Sequence, residues 1–122
     1  MLKTINIIFI TIFIFSCTGN HKKEFGKKLD IDKFTNIKNL KKYPQNYLND
    51  IIKVKGIVIE ENSRGSWVTI RGEDNAVIYI NFDYEPEIKF PTMLSNQIIA
   101  IGRFVKNRYG YYIMGKWLKI IK

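Results

Sequence analysis

From residue 50 onward the chain alternates. Val, Ile, Tyr, Phe and Trp recur at every second position, and clusters of Gly, Asn, Asp and Ser interrupt them at intervals of about ten residues. A period of two puts successive side chains on opposite faces of a strand. The pattern predicts five strands: Ile51–Glu61, Ser66–Arg71, Ala76–Phe82, Gln97–Lys106 and Tyr111–Ile120. Turns are expected at Asn62–Gly65, Gly72–Asn75 and Asn107–Gly110, and residues 83–95, with Pro86 and Pro91, form a longer connection. In the first strand the alternation is expected to change phase at Gly56, through a bend or bulge. Val68 and Ile70 fit an inward face, as do Ile78, Ile80 and Phe82, which leaves Trp67, Thr69, Arg71, Tyr79 and Asn81 pointing out. Phe90, Met93 and Leu94 are expected to plug one end.

Before residue 50 the texture differs. Residues 18–28 are polar and aperiodic and read as a flexible linker. Residues 30–42 read as a short helix, with Asp30 or Asp32 as cap, Ile31, Phe34, Ile37 and Leu40 as its apolar stripe, and Lys41 and Lys42 in the last turn where they suit the helix dipole. Pro44 ends it, because the residue before a proline avoids helical angles. The whole is an all-β domain with one short N-terminal helix. Five strands, a bent first strand and a long third connection point to a Greek-key OB-like barrel, which closes on itself and leaves no edge.

The first residues carry a different signal. Lys3 precedes the apolar run Ile5–Phe15, which is shorter than the roughly 20 residues a membrane span needs. Ile14-Phe15-Ser16-Cys17 resembles a bacterial lipobox, with Cys17 the only cysteine. The resemblance implies that residues 1–16 are a cleaved signal peptide and that Cys17 becomes an acylated N-terminus, held by two or three chains at about 0.8 kcal/mol per buried methylene. Thr18 after the cysteine, by the same resemblance, favours the periplasmic face of the outer membrane. The expected layout is then a signal peptide (1–16), a lipidated flexible basic tether (17–29), and helix plus barrel (30–122).

Two stretches add a family resemblance. Leu40-Lys-Lys-Tyr-Pro-Gln-Asn-Tyr-Leu-Asn-Asp-Ile-Ile-Lys-Val-Lys-Gly56 and Gln97-Ile-Ile-Ala-Ile-Gly102 resemble OB-fold domains of the tRNA-anticodon-binding-like type. Arg64-Gly-Ser-Trp67, Ile78-Tyr-Ile-Asn-Phe-Asp-Tyr84 and Pro91 resemble an uncharacterised family of secreted bacterial OB-like domains that carries Lys-Gly-Cys-Trp. Here the cysteine before the Trp is Ser66, so no cysteine chemistry carries over.

Charge narrows the partners. The chain has 20 basic and 11 acidic residues, and removing residues 1–16 lowers the net charge from +9 to +8. Lys22, Lys23, Lys27 and Lys28 follow the expected anchor, where each would gain about 1 kcal/mol beside anionic headgroups. A basic surface otherwise suggests nucleic acid, but a secreted, lipid-anchored address argues against that partner.

No catalytic set stands out. His21 is the only histidine and lies in the linker, where a triad or metal site would lack rigid partners. Glu60 and Glu61 point to opposite faces, and no phosphate-binding loop or zinc spacing is present. The expectation is a non-enzyme with no cofactor and no metal. The candidate binding face is aromatic and basic: Trp67, Arg71, Tyr79 and Asn81 on the second and third strands, with Arg103, Arg108, Tyr109 and Tyr111 around the last hairpin. Tyr112 falls in that second group, and packing of Trp67 under the 83–95 connection or the N-terminal helix is the competing arrangement. A lipid-anchored binding module for an envelope protein, glycan or anionic polymer is the leading functional expectation. A toxin-neutralising immunity lipoprotein and a nucleic-acid-binding OB protein are the alternatives.

Overall fold

The structure is a computed structural model that describes residues 23–85 and 89–121. The leader, Cys17, Thr18, His21, Lys22, Pro86 and Glu87 lie outside the described residues, as do the expectations that rest on them.

The described residues form six strands and one helix: β1 (Glu24–Gly26), α1 (Ile37–Lys42), β2 (Ile51–Glu61), β3 (Trp67–Arg71), β4 (Val77–Asn81), β5 (Gln97–Asn107) and β6 (Gly110–Ile120), with a 3-10 turn at Pro44–Asn46. All five expected strands form, within a residue of their expected ends. The sheet order is β1-β6-β4-β3-β2-β5, and β5 also pairs with β6, so β2, β3, β4, β6 and β5 close into a ring. Every ring pairing is antiparallel except β4 with β6, which is parallel through Ile80↔Ile113 and Asn81↔Met114. This is a mixed, closed, five-stranded barrel consistent with an OB-like fold.

Long β2 belongs to both halves of the ring. Its Ile51–Ile57 half pairs with β5, and Ile57–Glu61 pairs with β3. The expected phase change does not fall at Gly56: Ile52, Val54, Gly56 and Val58 are all buried, and the register slips between Val58 and Glu60 instead. What Gly56 supplies is room, since a Cβ there would stand 2.6 Å from the Arg71 carbonyl oxygen of the crossing strand. A second slip, between Ile101 and Gly102, opposes Ile101 to Trp117 and Gly102 to Gly115 and leaves Lys116 bulged. After it Trp117 faces out while Leu118 turns into the core.

The interior is filled by alternate residues of every strand, among them Val54, Val68, Ile70, Ile80, Ile98, Ala100, Phe104, Ile113 and Leu118, all close to fully buried. Ile37 and Leu40 of α1 close one end. Phe82, Phe90 and Phe25 close the other, ring on ring, with centroids 4.8 and 5.1 Å apart, and Met93 is buried beside them. Leu94, expected in this plug, is 49% exposed, because the chain turns back at Leu94–Ser95.

The N-terminal segment departs furthest from expectation. Part of the supposed tether is a strand: β1 pairs with β6 through Glu24↔Lys119, Phe25↔Leu118 and Gly26↔Trp117. It fills the gap left where β4 diverges from β6, and Phe25 enters the core. The helix is shorter than the expected 30–42. Asn36, not Asp30 or Asp32, caps it by accepting from the Asn39 N–H (3.3 Å). Residues 27–35 instead form an irregular strap from β6 to β2, from the Lys27 N–H donating to the Lys116 carbonyl (3.3 Å) to the Thr35 N–H donating to the Lys53 carbonyl (2.7 Å). Under this strap Ile101 and Trp117 face outward yet are buried. Covering two such large apolar side chains is worth more than the few helical hydrogen bonds that residues 30–35 forgo. Ile31 is half-buried and Phe34 is exposed, so neither packs in the core as the helical stripe required.

Candidate functional site

The outer face of β3 and β4 is built by register. Trp67 opposes Asn81, Thr69 opposes Tyr79 and Arg71 opposes Val77, so the odd-numbered residues of both strands share one surface. Val68, Ile70, Ile78 and Ile80 take the inner face, as the alternation requires. Trp67 is half-buried: its ring lies 5.5 Å from that of Tyr79, tilted by 37°, and it does not disappear beneath the 83–95 connection.

The ring row continues onto β6. Parallel pairing of β4 with β6 sets Tyr112 beside Tyr79, edge to face at 6.2 Å. The Tyr112 hydroxyl is 3.2 Å from that of Tyr84, which projects from the turn after β4. Asn81 braces this turn: its Oδ1 accepts from the Asp83 N–H (2.7 Å), and its Nδ2 reaches the Tyr79 hydroxyl at 3.4 Å. A cleft of about 350 Å3 lies between this row and the β5–β6 hairpin, lined by Tyr79, Asn81, Tyr84 and Tyr112 on one side and Asn107 and Tyr109 on the other.

Two phenols here hold their protons tightly. The hydrogen bond with Tyr84, together with burial, pushes Tyr112 up to about 12. Burial and then the Asp83 carboxylate raise Tyr79 above its ordinary value. At neutral pH the row is uncharged, with flat faces and hydroxyl edges. Such a surface can stack on rings and hydrogen-bond to their substituents. Among the described residues no group of three or more His, Cys, Asp or Glu is placed to hold a metal ion.

The other expected residues divide. Tyr109, 82% exposed at the hairpin tip, lines the cleft, and Arg108 lies over its ring at 4.9 Å. Arg71 is on the same outer face as Trp67 but four residues along β3, roughly 13 Å away, where it opposes Val77. Arg103 is taken up elsewhere, donating from Nη1 to the Asn49 carbonyl (2.6 Å) in the turn that leads into β2. Tyr111 also lines the cleft, but its ring turns toward the barrel end and does not join the outer row. Its ring stacks on Phe104 at 5.4 Å and 9°, and its hydroxyl accepts from Gln45 Nε2 (2.8 Å).

Tyr112 therefore belongs with Trp67 and Tyr79 and not with Tyr111, and Tyr84 completes the row. Parity along β6 separates Tyr112 from Tyr111. The join to β4 follows only once the third and fifth ring strands are known to run parallel.

The fold and this face define the protein as a small OB-like β-barrel with an aromatic outer cleft. Its fold is similar to that of the hypothetical protein ygiW from E. coli, with a TM-score of 0.54 and 13% identity, over 74% of this chain and 91% of that one. No protein-family model matches the chain, and no curated protein does.

Proposed function

We propose that the protein is a non-catalytic binding module of the bacterial cell envelope, anchored through acylated Cys17, and that the row Trp67–Tyr79–Tyr112–Tyr84 is its ligand platform. The anchor rests on the lipobox-like Ile14–Cys17 and the apolar run before it. The platform rests on one observation: three packed rings stay on the outer surface, beside a cleft, when the core already has its own aromatic plug. Contiguous apolar patches on a surface mark interaction sites, and Trp and Tyr are enriched among binding hot spots. The β3–β4 face is also where OB barrels take their ligands.

A neutral, hydroxyl-edged row suits the rings of a glycan or an envelope protein loop. Stacking on aromatic side chains is worth about 1–3 kcal/mol per stacked group by alanine substitution. The test is titration of the barrel with a panel of envelope glycans, envelope polymers and purified envelope proteins. A ligand that binds wild type and loses about tenfold or more of its affinity with Trp67→Ala supports the reading. A panel in which every ligand binds wild type and Trp67→Ala alike overturns it.

A further inference from the structure

We propose that the strap-covered face of β5 and β6, with the neighbouring edge of β2, docks on anionic lipid headgroups and seats the barrel with its aromatic cleft turned away from the membrane. The inference rests on the envelope-anchor reading for its location, but its chemistry stands on the barrel itself.

The face is basic and carries one exposed ring. Four strands lie side by side here: Lys53 of β2 opposes Ile101 of β5, which opposes Trp117 of β6, which opposes Gly26 of β1. The strap crosses this row, with Lys28 Nζ 5.5 Å from the centre of the Trp117 ring. At its far end Phe34 is 45% exposed, and Lys53 and Lys55 stand over its ring at 4.6 and 5.1 Å. Lys119 lies in the next row, opposite Ile99. Residues 23–34 carry Lys23, Lys27, Lys28 and Lys33 against Glu24, Asp30 and Asp32. Lys53, Lys55 and Lys119 raise the count to seven lysines, and Glu73, which lines a pocket with Phe34 and Lys55, makes four carboxylates. The outward positions of β2 as far as Ile57, and all those of β5, hold no carboxylate.

Lysines ringed around an exposed aromatic side chain match an anionic interface, where the ring enters the headgroup layer and the ammonium groups meet phosphates. The chain's path agrees. Lys23 is bonded into the sheet, since its carbonyl accepts from the Ile120 N–H (2.8 Å). Only five residues lie between it and Cys17, a span of at most about 20 Å when fully extended. An acyl anchor at residue 17 would thus hold this end of the barrel against the bilayer. The cleft lies at the other end of these strands: Asn107 of β5 and Tyr112 of β6, which line it, flank the hairpin, and β4 is two ring positions from β5. Along β6, Tyr112 and Lys119 are seven residues, or about 20 Å, from each other.

The test uses the chain from residue 17 with Cys17→Ser, which keeps every described residue and removes acyl attachment. Sedimentation with phosphatidylcholine vesicles, with and without phosphatidylglycerol, reads the binding. Binding is expected only with phosphatidylglycerol, and is lost in about 1 M salt, where the screening length is ~3 Å. Lys53→Glu with Lys55→Glu should weaken it about tenfold or more. Lys38→Glu with Lys42→Glu on α1, an equal change of charge elsewhere, should not. Phe34→Ala, at an exposed position, should weaken binding without lowering the melting temperature, so a folding defect in the charge variant cannot mimic the result.

Equal binding to both vesicle types, equal loss in the two charge variants, or tighter binding to double-stranded DNA than to the anionic vesicles would each overturn the proposal. The mass of residue 17 in protein taken from native membranes tests the anchor separately. An acylated residue 17 with vesicle binding indifferent to Lys53, Lys55 and Phe34 removes the docking face and leaves the anchor. An unmodified Cys17 with lysine-dependent binding does the reverse.

Discussion

Gly115 and Phe82 illustrate how little slack the barrel has. The Phe82 ring lies against Gly115 so closely that a Cβ at residue 115 would overlap it. Phe82 is in turn fixed by Phe90. Gly115→Ala should therefore cost about 1–3 kcal/mol, as other forced insertions into filled cores do, read as a lower melting temperature. Phe25→Ala should cost about 3 kcal/mol or more, because it empties a site against Phe90 that the sheet cannot collapse to fill. A Phe25→Ala variant that melts like wild type would mean that β1 is not part of the stable unit. On the outer face the hydroxyl pair sets a spectroscopic expectation. One tyrosine should ionise late, near about 12, and Tyr84→Phe should bring that titration earlier. The sign for stability follows. A phenol whose folded pKa is raised above its unfolded value of 10.0 stabilises the fold fully below pH 10. That contribution fades as the pH climbs from there toward about 12.

At the scale of elements, the period-two alternation made all five ring strands legible, because each has one wet and one dry face. It also placed Trp67, Tyr79 and Asn81 together outside the barrel. It could not place Tyr112 or Tyr84 with them, since that depends on a parallel pairing between strands about 30 residues apart in sequence. Nor could it separate a three-residue strand from a polar linker: Lys23–Lys28 is Lys-Glu-Phe-Gly-Lys-Lys, with one apolar residue and no period. Phe25 was the only signal, and a single phenylalanine among charges reads equally well as a surface residue. The helix failed for a related reason. Ile31, Phe34, Ile37 and Leu40 have helical spacing, but the strap takes the first two for other uses, and Asn36, as good a cap by type as the aspartates upstream, stands where the helix then begins. Asn36→Ala should lower stability by about 1 kcal/mol, whereas Asp30→Ala and Asp32→Ala should leave it within about 0.5 kcal/mol. Denaturant titration of the three variants checks this ranking.

Across the whole molecule, the two ends of the barrel are closed by different parts of the chain. Ile37, Leu40 and the Gln45–Tyr111 hydrogen bond seal one, and Phe25, Phe82 and Phe90 seal the other. The second closure uses the first described strand, which makes β1 the route by which tension applied at Lys23 reaches the rest. Glu24–Gly26 is three residues long and runs antiparallel to the end of β6, with Lys27 N–H donating to the Lys116 carbonyl (3.3 Å) at its far end. Pulled from Lys23, these few bonds would part in sequence like a zip fastener rather than share the load. The strap would peel next, baring Trp117 and Ile101, while the five-stranded ring stayed shut. In a single-molecule stretching experiment the protein should thus lengthen in two stages, a short early give and a much stiffer break, and Phe25→Ala should weaken only the first.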